Sequence, residues 1–271
     1  MIKKIFFLAF ILLCFNIFSN ADSNTSNTDV PASDQNISAS KEEVSISDLI
    51  NFVFTIGFIV FLVSLFTPNS DENTDYNVFV ILDNNTATNV ENISKKLKEI
   101  EIESLYAKGY LVHLTLYLTK YNMNNLHKIK EIIEKIANQT KSFNVEFYRL
   151  RKTDRKLLVL DAKNNENIQQ LADEITVNLT KYHAKNINVP DWIKYIPERE
   201  KLFKLYGSSD VFTNFEPYIP LLSQVNSSQI QSFISKYNFN PFKSKAIGIG
   251  IAQVDDLGQA KNIIYSVKFK K

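Results

Sequence analysis

Residues Tyr110–Lys120 read YLVHLTLYLTK, and this stretch decides the fold. Leucines alternate along it with polar or aromatic side chains, and the two sets are Leu114, Leu116 and Leu118 against His113, Thr115, Tyr117 and Thr119. Period-two alternation is typical of a β-strand with one buried face. The sequence therefore predicts a strand that buries its leucines and turns an imidazole and a hydroxyl to the other side.

The second side of this strand carries groups suited to phosphate chemistry. His113 and Thr115 are two residues apart, so their side chains project from the same face of the strand. An imidazole titrates near neutral pH and can move a proton, and a hydroxyl can hydrogen-bond a phosphate oxygen. The pair indicates half of a phosphate-handling site, with Thr115 and Tyr117 as candidate ligand contacts. A solvent-exposed strand face that happens to carry a histidine is the alternative.

Composition excludes several classes of site. The chain has 271 residues and a formal charge of +2, which suits one globular domain with extra segments or two small domains. Its only cysteine, Cys14, falls in a predicted signal segment, which excludes a disulfide framework and a cysteine nucleophile in the folded part. The six glycines form no nucleotide-binding loop, and the three histidines have no metal-ligand spacing. We therefore expect no metal and no cofactor.

The N-terminal quarter of the chain predicts targeting and membrane segments. Residues 1–21 combine two lysines, an apolar run and a small-residue cleavage pattern, which predicts a signal peptide; an uncleaved anchor is the alternative. Residues 22–48 are polar and predict a disordered linker. Residues 49–66 predict a transmembrane helix, with a buried core helix as the alternative, and residues 67–76 predict a second linker. The positive charge at the N-terminus then predicts a bacterial inner-membrane protein with a cytoplasmic C-terminal domain.

From residue 77 to the C-terminus, strand and helix patterns alternate in two matching halves, about 77–151 and 156–271. Each half reads strand, helix, strand, helix, strand, and the second half adds an insertion and one more strand. The first half predicts strands at 77–82, 110–120 and 144–151 and helices at 89–100 and 124–137. The second half predicts strands at 156–161, 216–223, 246–254 and 259–269 and helices at 167–179, 198–205 and 227–237.

Overlaying the halves places Val112–Leu116 (VHLTL) opposite Pro217–Leu221 (PYIPL). Two related lobes that each give one central strand with a His-x-Thr/Ser motif resemble the two-histidine phosphoesterase superfamily, which includes the 2'-5' RNA ligase-like proteins and the RNA cyclic phosphodiesterases. The resemblance covers residues 77–269, and Tyr206–Ser208 and Phe215–Pro217 are similar to the family's approach to its second motif. It implies a bilobed, pseudo-two-fold α+β domain with two mostly antiparallel sheets around a groove.

The resemblance also implies a mechanism, from which this sequence departs. In the family, two imidazoles face each other as general base and general acid, and two hydroxyls hold the phosphate. His113 and Thr115 match the first motif, whereas Tyr218 and Pro220 stand at the functional positions of the second. A phenol with a reference pKa of about 10 is a poor base, and proline has neither hydroxyl nor N–H to offer. Proline also fits poorly in a central ladder, which predicts an edge strand or a bulge there.

Two functions are compatible with this pattern. Because losing one acid–base partner costs about 10²–10⁴ in rate, the first is a catalytically impaired relative, anchored through residues 49–66, that binds RNA ends, a small nucleotide or a partner protein. The second is an active phosphodiesterase for 2',3'-cyclic or 2'-5' phosphodiesters, with His113 as acid/base and Tyr218 as the weaker partner.

Two further stretches have more than one interpretation. Arg149 and Arg151 lie in a basic stretch where the halves join, and they are candidates to contact a phosphate or RNA; a solvated turn is the alternative. Ile247–Ile251 reads IGIGI, and its small residues predict that another group approaches the strand closely. The strand would then either form a wall of the groove or pack tightly against a helix.

Overall fold

The computed structural model describes residues 46–66, 73–185, 187–223 and 227–270. The predicted signal peptide lies outside these residues, as do nearly all of the predicted linker at 22–48 and residues 67–72 of the second predicted linker. Contacts divide the chain into two units, Met1–Val60 and Phe61–Lys271. Every strand and the functional site belong to the second unit.

Among the described residues, the first helix, α1, spans Ile46–Phe66 and includes the segment predicted to be transmembrane, residues 49–66. Across the described residues, every helix falls short of the length and apolar character that crossing a membrane requires. The predicted transmembrane helix is therefore not confirmed, and the inner-membrane location stays a prediction.

Seven strands follow, and they are β1 Asn73–Leu82, β2 Leu114–Asn122, β3 Phe143–Lys152, β4 Leu158–Ala162, β5 Tyr218–Leu222, β6 Phe242–Val254 and β7 Ala260–Lys268. The helices are α2 Asn84–Lys98, α3 Leu126–Gln139, α4 Glu166–Leu179, α5 Asp191–Lys194, α6 Pro197–Tyr206 and α7 Ser227–Lys236, with 3₁₀ turns at Met123–Asn125, Thr180–Tyr182 and Phe212–Asn214. The predicted elements agree with these bounds to within about five residues. One correction is that residues 73–76 belong to β1 and not to a linker.

All neighbouring strands pair antiparallel, in the order β2-β1-β6-β3-β4-β5, with β7 also paired to β6. If β1 is exchanged with β4, β2 with β5 and β3 with β6, the same order results, read from the opposite edge of the sheet. This symmetry agrees with the predicted pseudo-two-fold relation. The predicted pair of sheets is instead one seven-stranded sheet. The third strand of each half pairs with the first strand of the other half, so each end of the sheet contains strands from both halves. β6 joins the two ends of the sheet: its residues 242–246 pair with β3, and its residues 246–253 pair with β1.

Helices cover one face of the sheet and form the main core. Each of three helices buries an apolar stripe, and these residues are Val90, Ile93 and Leu97 on α2, Ile129, Ile133 and Ile136 on α3, and Ile168, Leu171, Ile175 and Leu179 on α4. Val78 and Val80 of β1 belong to the same cluster. Phe79 lies on the other face of β1, in a small cluster with Ala252 and Ala260. This second face carries the functional site.

Gly250 on β6 explains the alternation of large and small residues in the IGIGI stretch. Its register partner on β1 is Phe79, and a Cβ atom at position 250 would lie 2.3 Å from the Phe79 ring. The Phe79 ring in turn meets the His113 ring edge-on, with centroids 5.7 Å apart. The close approach predicted from the sequence is therefore made by a phenyl ring of the neighbouring strand, and this ring supports His113.

We expect Gly250→Ala to lower the free energy of unfolding by about 1–3 kcal/mol, because the added methyl group overpacks the Phe79 ring. Phe79→Leu in the same chain should recover most of that loss, since it removes the clashing atoms. Urea denaturation of the single and double variants measures both effects. Gly248→Ala is the control: its Cβ would meet the Val267 carbonyl, so Phe79→Leu should not rescue it. Equal rescue of both glycine variants would contradict this packing.

Candidate functional site

A cavity of about 390 Å³ is lined in part by residues of β2 and β5, the strands at the two ends of the strand order. β2 and β5 contact each other, and they bring His113 and Thr115 on one side and Tyr218 and Pro220 on the other to the cavity lining. The overlay of the two halves predicted this pairing. Much of the remaining wall comes from the inserted segment between α4 and β5, residues 180–217.

His113 lies immediately before β2 and is 2 % exposed. Its Nδ1 is 2.8 Å from the Leu111 carbonyl oxygen. Because a carbonyl can only accept, Nδ1 carries the proton and Nε2 has the lone pair. No described residue hydrogen-bonds to Nε2. Burial lowers the pKa of His113, and the hydrogen bond to Leu111 opposes this only in part. The imidazole is therefore neutral and has a free basic nitrogen.

Thr115 is held with its hydroxyl hydrogen available. Asn77 is fully buried on β1, and its Nδ2 donates to the Thr115 Oγ1 at 2.8 Å. Because Oγ1 already accepts this bond, the hydroxyl can donate its own hydrogen to a ligand in the cavity. Asn77 thus orients the hydroxyl that the sequence predicts to contact phosphate.

A β-bulge interrupts the alternation of β2. In the register with β1, Val78 pairs with Tyr117, whereas the next residue, Phe79, pairs with Thr115. Leu116 is therefore an extra residue without a partner on β1. One extra residue shifts the two-residue period, so the faces are exchanged between the two ends of β2.

The residues beyond the bulge face the opposite way from the prediction. Leu118 and Lys120 line the cavity with Thr115, and Tyr117 is 1 % exposed and lies in the core. The Tyr117 hydroxyl donates to the backbone carbonyl of Tyr206. Burial raises the pKa of Tyr117 to about 12. The structure places Tyr117 in the core instead of at the predicted ligand contact.

Tyr218 contributes a neutral phenol. Nη2 of Arg155 donates to its hydroxyl oxygen at 3.3 Å, so the hydroxyl hydrogen can still be donated to a ligand. Burial raises the pKa of Tyr218, and the nearby carboxylates of Asp210 and Glu216 raise it further, although the Arg155 charge opposes them. Tyr218 therefore keeps its proton at neutral pH and is a hydrogen-bond donor and weak acid.

Pro220 occupies the second functional position of this motif. It pairs in register with Val159, and the register shifts between Leu158 and Val159. β5 also ends the strand order of the sheet. The prediction that the proline marks an edge strand or a bulge is confirmed on both counts.

Arg149 and Arg151 form ion pairs and do not themselves line the cavity. Their Nε atoms lie 2.8 and 2.7 Å from the Asp161 Oδ2, and Arg151 also pairs with Glu216 at 2.9 Å. Asp161 is buried, so these guanidinium groups offset the cost of burying its charge. Neither arginine lines the cavity. The structure thus gives them a stabilising contact where the sequence predicted a phosphate contact.

A second ion-pair cluster, which sequence reasoning missed, does line the cavity. Arg155 and Arg199 each lie 2.8 Å from one carboxylate oxygen of Asp210. Arg155 stands in the basic stretch noted in the sequence, so its residue type gave a partial signal. Arg199 lies in the predicted helix at 198–205 and Asp210 follows that helix, but no motif marked either residue as part of a site.

The charges in the cavity lining are balanced, and the residues are Lys120, Arg155 and Arg199 against Asp75, Asp210 and Glu216. With no excess positive charge, the cavity has no general attraction for a long polyanion. A bound anion would depend on directed donors such as hydroxyl and guanidinium groups. Within the part of the chain that the structure describes, no group of three or more His, Cys, Asp or Glu side chains could hold a metal ion.

Known proteins similar to this chain are found among solved structures. No family model and no curated protein matches the sequence. Similar solved structures include a phosphoesterase (10% identity, TM-score 0.46, covering 74% of this chain and 100% of that one). They also include TT0787 of Thermus thermophilus (11%, 0.47, 72% and 97%) and E. coli LigT in its apo form (9%, 0.43, 74% and 100%). LigT was also solved with 3'-AMP and with ATP.

Proposed function

We propose that the cavity binds a nucleotide or an RNA end through its phosphate group and hydrolyses phosphodiesters weakly or not at all. The observation that supports this most directly is the pairing of His113 and Thr115 with Tyr218 and Pro220 in one cavity. One wall keeps a base and a hydroxyl donor. The other keeps a hydroxyl but lacks a second imidazole.

Three side chains can donate hydrogen bonds to a phosphate group. The Thr115 and Tyr218 hydroxyl oxygens already accept from Asn77 and Arg155, so each can donate its own hydrogen. Arg155 uses Nη2 for Asp210 and Tyr218, and its Nε and Nη1 have no partner among the described residues. Charge-assisted bonds from a guanidinium are about twice as strong as neutral ones. These donors are sufficient to hold one phosphate in a cavity without net positive charge.

The acid–base groups are unequal. His113 is neutral and presents Nε2, so it can act as a general base toward water or a ribose hydroxyl. Tyr218 has a raised pKa, which makes it a weaker acid than an imidazolium. The lack of a second group that titrates near neutral pH predicts a loss of about 10²–10⁴ in rate. Binding is affected less, because it needs donors and not a proton transfer.

An active phosphodiesterase is the second candidate function. The observation that favours it is the Tyr218 hydroxyl, which shares the cavity with His113 and keeps a proton that it can give to a leaving oxygen. Arg155 would assist by stabilising the phenolate that forms. Hydrolysis abolished by His113→Ala would support this function.

The experiment measures binding and turnover of a 2',3'-cyclic nucleotide with the full chain. We expect calorimetry to detect binding, and Thr115→Val to weaken it by about 10-fold or more, since one hydroxyl donor to a charged group is lost. Tyr117→Phe is the matched control on the same strand. It should leave affinity unchanged, because that hydroxyl points into the core. Equal effects of the two variants, or no binding at all, would contradict the proposal.

The rate of cyclic-nucleotide hydrolysis distinguishes a catalytically impaired protein from an active phosphodiesterase. We expect little hydrolysis by the wild-type chain and a gain of about 10²–10⁴ when Tyr218→His is combined with Pro220→Thr, because a second imidazole and hydroxyl are supplied. Wild-type hydrolysis as fast as that of the double variant would identify the protein as an active phosphodiesterase and would exclude impairment.

The lowered pKa of His113 predicts a pH-dependent stability. Between the folded pKa and the unfolded value of about 6.5, the unfolded chain binds a proton that the folded chain does not. The free energy of unfolding should therefore fall as pH is lowered through about 6.5. His113→Asn keeps a donor for the Leu111 carbonyl but does not titrate, so the free energy of unfolding of this variant should fall less steeply as pH is lowered. Denaturant midpoints between about pH 5 and 8 measure this, and identical profiles would contradict a buried neutral imidazole.

The Arg151–Asp161 pair predicts a loss of stability without a loss of binding. Arg151→Gln removes two contacts to a buried carboxylate, and we expect it to lower the free energy of unfolding by about 1–3 kcal/mol. Cyclic-nucleotide affinity should change by less than about two-fold. Lys152→Gln, in the same basic stretch, is the control and should change neither quantity. A large loss of affinity at unchanged stability would instead support a phosphate contact by Arg151.

A further inference from the structure

Trp192 is a large aromatic side chain held at the surface of the cavity. It is the only tryptophan of the chain, it lines the cavity, and it is 44 % exposed. It lies on the four-residue helix α5, whose next residue, Ile193, is buried. Burial of Ile193 anchors the helix next to the cavity, and the neighbouring indole remains partly exposed there.

Arg155 connects this indole to the candidate phosphate site. Its guanidinium carbon lies 4.8 Å from the centre of the Trp192 ring, and its Nη2 donates to the Tyr218 hydroxyl at 3.3 Å. One residue therefore contacts both the aromatic ring and the group opposite His113. A ligand whose phosphate lies between Thr115 and Tyr218 has its remaining atoms within reach of the indole.

We propose that Trp192 is a stacking platform for a nucleobase, so that the cavity prefers nucleotides to phosphate esters without an aromatic base. This inference rests on the proposed function, because it concerns the part of the ligand beyond the phosphate. Stacking suits a charge-balanced cavity, since it adds affinity without adding cationic groups. Stacking also tolerates any base, so the preference is for the chemical class of base-bearing phosphates and not for one nucleobase.

The ion pairs of the insertion hold the platform in place. Asp210 accepts from Arg155 and from Arg199, each at 2.8 Å, so two cations and one carboxylate fix the plane of the Arg155 guanidinium. The guanidinium in turn stacks on the indole. A side chain that is ordered before the ligand arrives loses little conformational entropy on binding. This arrangement gives the inserted segment a role that its sequence did not indicate.

The experiment uses the full chain and two ligands, adenosine 2',3'-cyclic phosphate and glycerol 1,2-cyclic phosphate, which carries the cyclic phosphate without a base. Because Trp192 is the sole tryptophan, its fluorescence reports on this position alone. We expect the nucleotide to quench it and the base-free ester to leave it nearly unchanged. Trp192→Ala should weaken nucleotide binding by about 10-fold or more and leave the affinity for the base-free ester within about two-fold. Trp192→Phe should restore most of the loss.

Tyr195→Ala is the matched control, since Tyr195 is 87 % exposed, lies three residues away and does not line the cavity. It should leave both affinities unchanged. Equal weakening of both ligands by Trp192→Ala would assign the indole a structural role and overturn the stacking proposal. The stacking proposal would also be overturned if Thr115→Val weakened nucleotide binding and Trp192→Ala did not. That result would leave the proposed phosphate site intact. Failure of both ligands to bind would overturn both proposals.

Discussion

The exchange of third strands between the two halves is the constraint on which the rest of the structure depends. β6 from the end of the chain pairs with β1, and β3 from the first half pairs with β4. Neither half can complete its part of the sheet without the other, so long-range pairing has to precede any working site. The same exchange leaves β2 and β5 as the two ends of the strand order. These two end strands also contact each other, so the motif positions of the two halves share one cavity.

Packing behind the first motif controls the protonation of His113. The small Gly250 admits the Phe79 ring, and that ring lies edge-on to the imidazole. Burial beside this apolar ring favours the neutral imidazole, and the Leu111 carbonyl at Nδ1 selects the tautomer that has its lone pair on Nε2. A glycine on a distant strand thus influences the chemistry of a residue that it does not touch. This coupling passes through one aromatic side chain, in a region where added volume cannot be absorbed without displacing a neighbour.

The sequence predicted the order and the approximate bounds of nearly all strands and helices, because hydrophobic periodicity encodes them locally. It also placed His113 opposite Tyr218, because both halves repeat one pattern. The sequence placed Tyr117 on the ligand-facing side of β2, whereas the bulge at Leu116 turns it to the other side. No residue type in the sequence indicates this bulge. The prediction failed at Arg149 and Arg151 because their acceptor, Asp161, is buried on the neighbouring strand, and a basic stretch does not reveal which carboxylate it meets. The cluster around Asp210 depends on the path of the insertion, which the sequence predicted only as one short helix at 198–205.

The two departures in the second motif have different structural consequences. Pro220 lies on an edge strand, where a missing N–H costs the ladder little, so the substitution is tolerated without repacking. Tyr218 fills the space opposite His113 with a phenol that Arg155 can contact, so a hydrogen-bond donor is kept where an imidazole is absent. Binding depends on donors that any element around the cavity can supply, and here the turn before β4 and the insertion supply them. Catalysis depends on two titratable groups at fixed positions on β2 and β5. On the proposed function, a change confined to β5 therefore acts on turnover far more than on affinity.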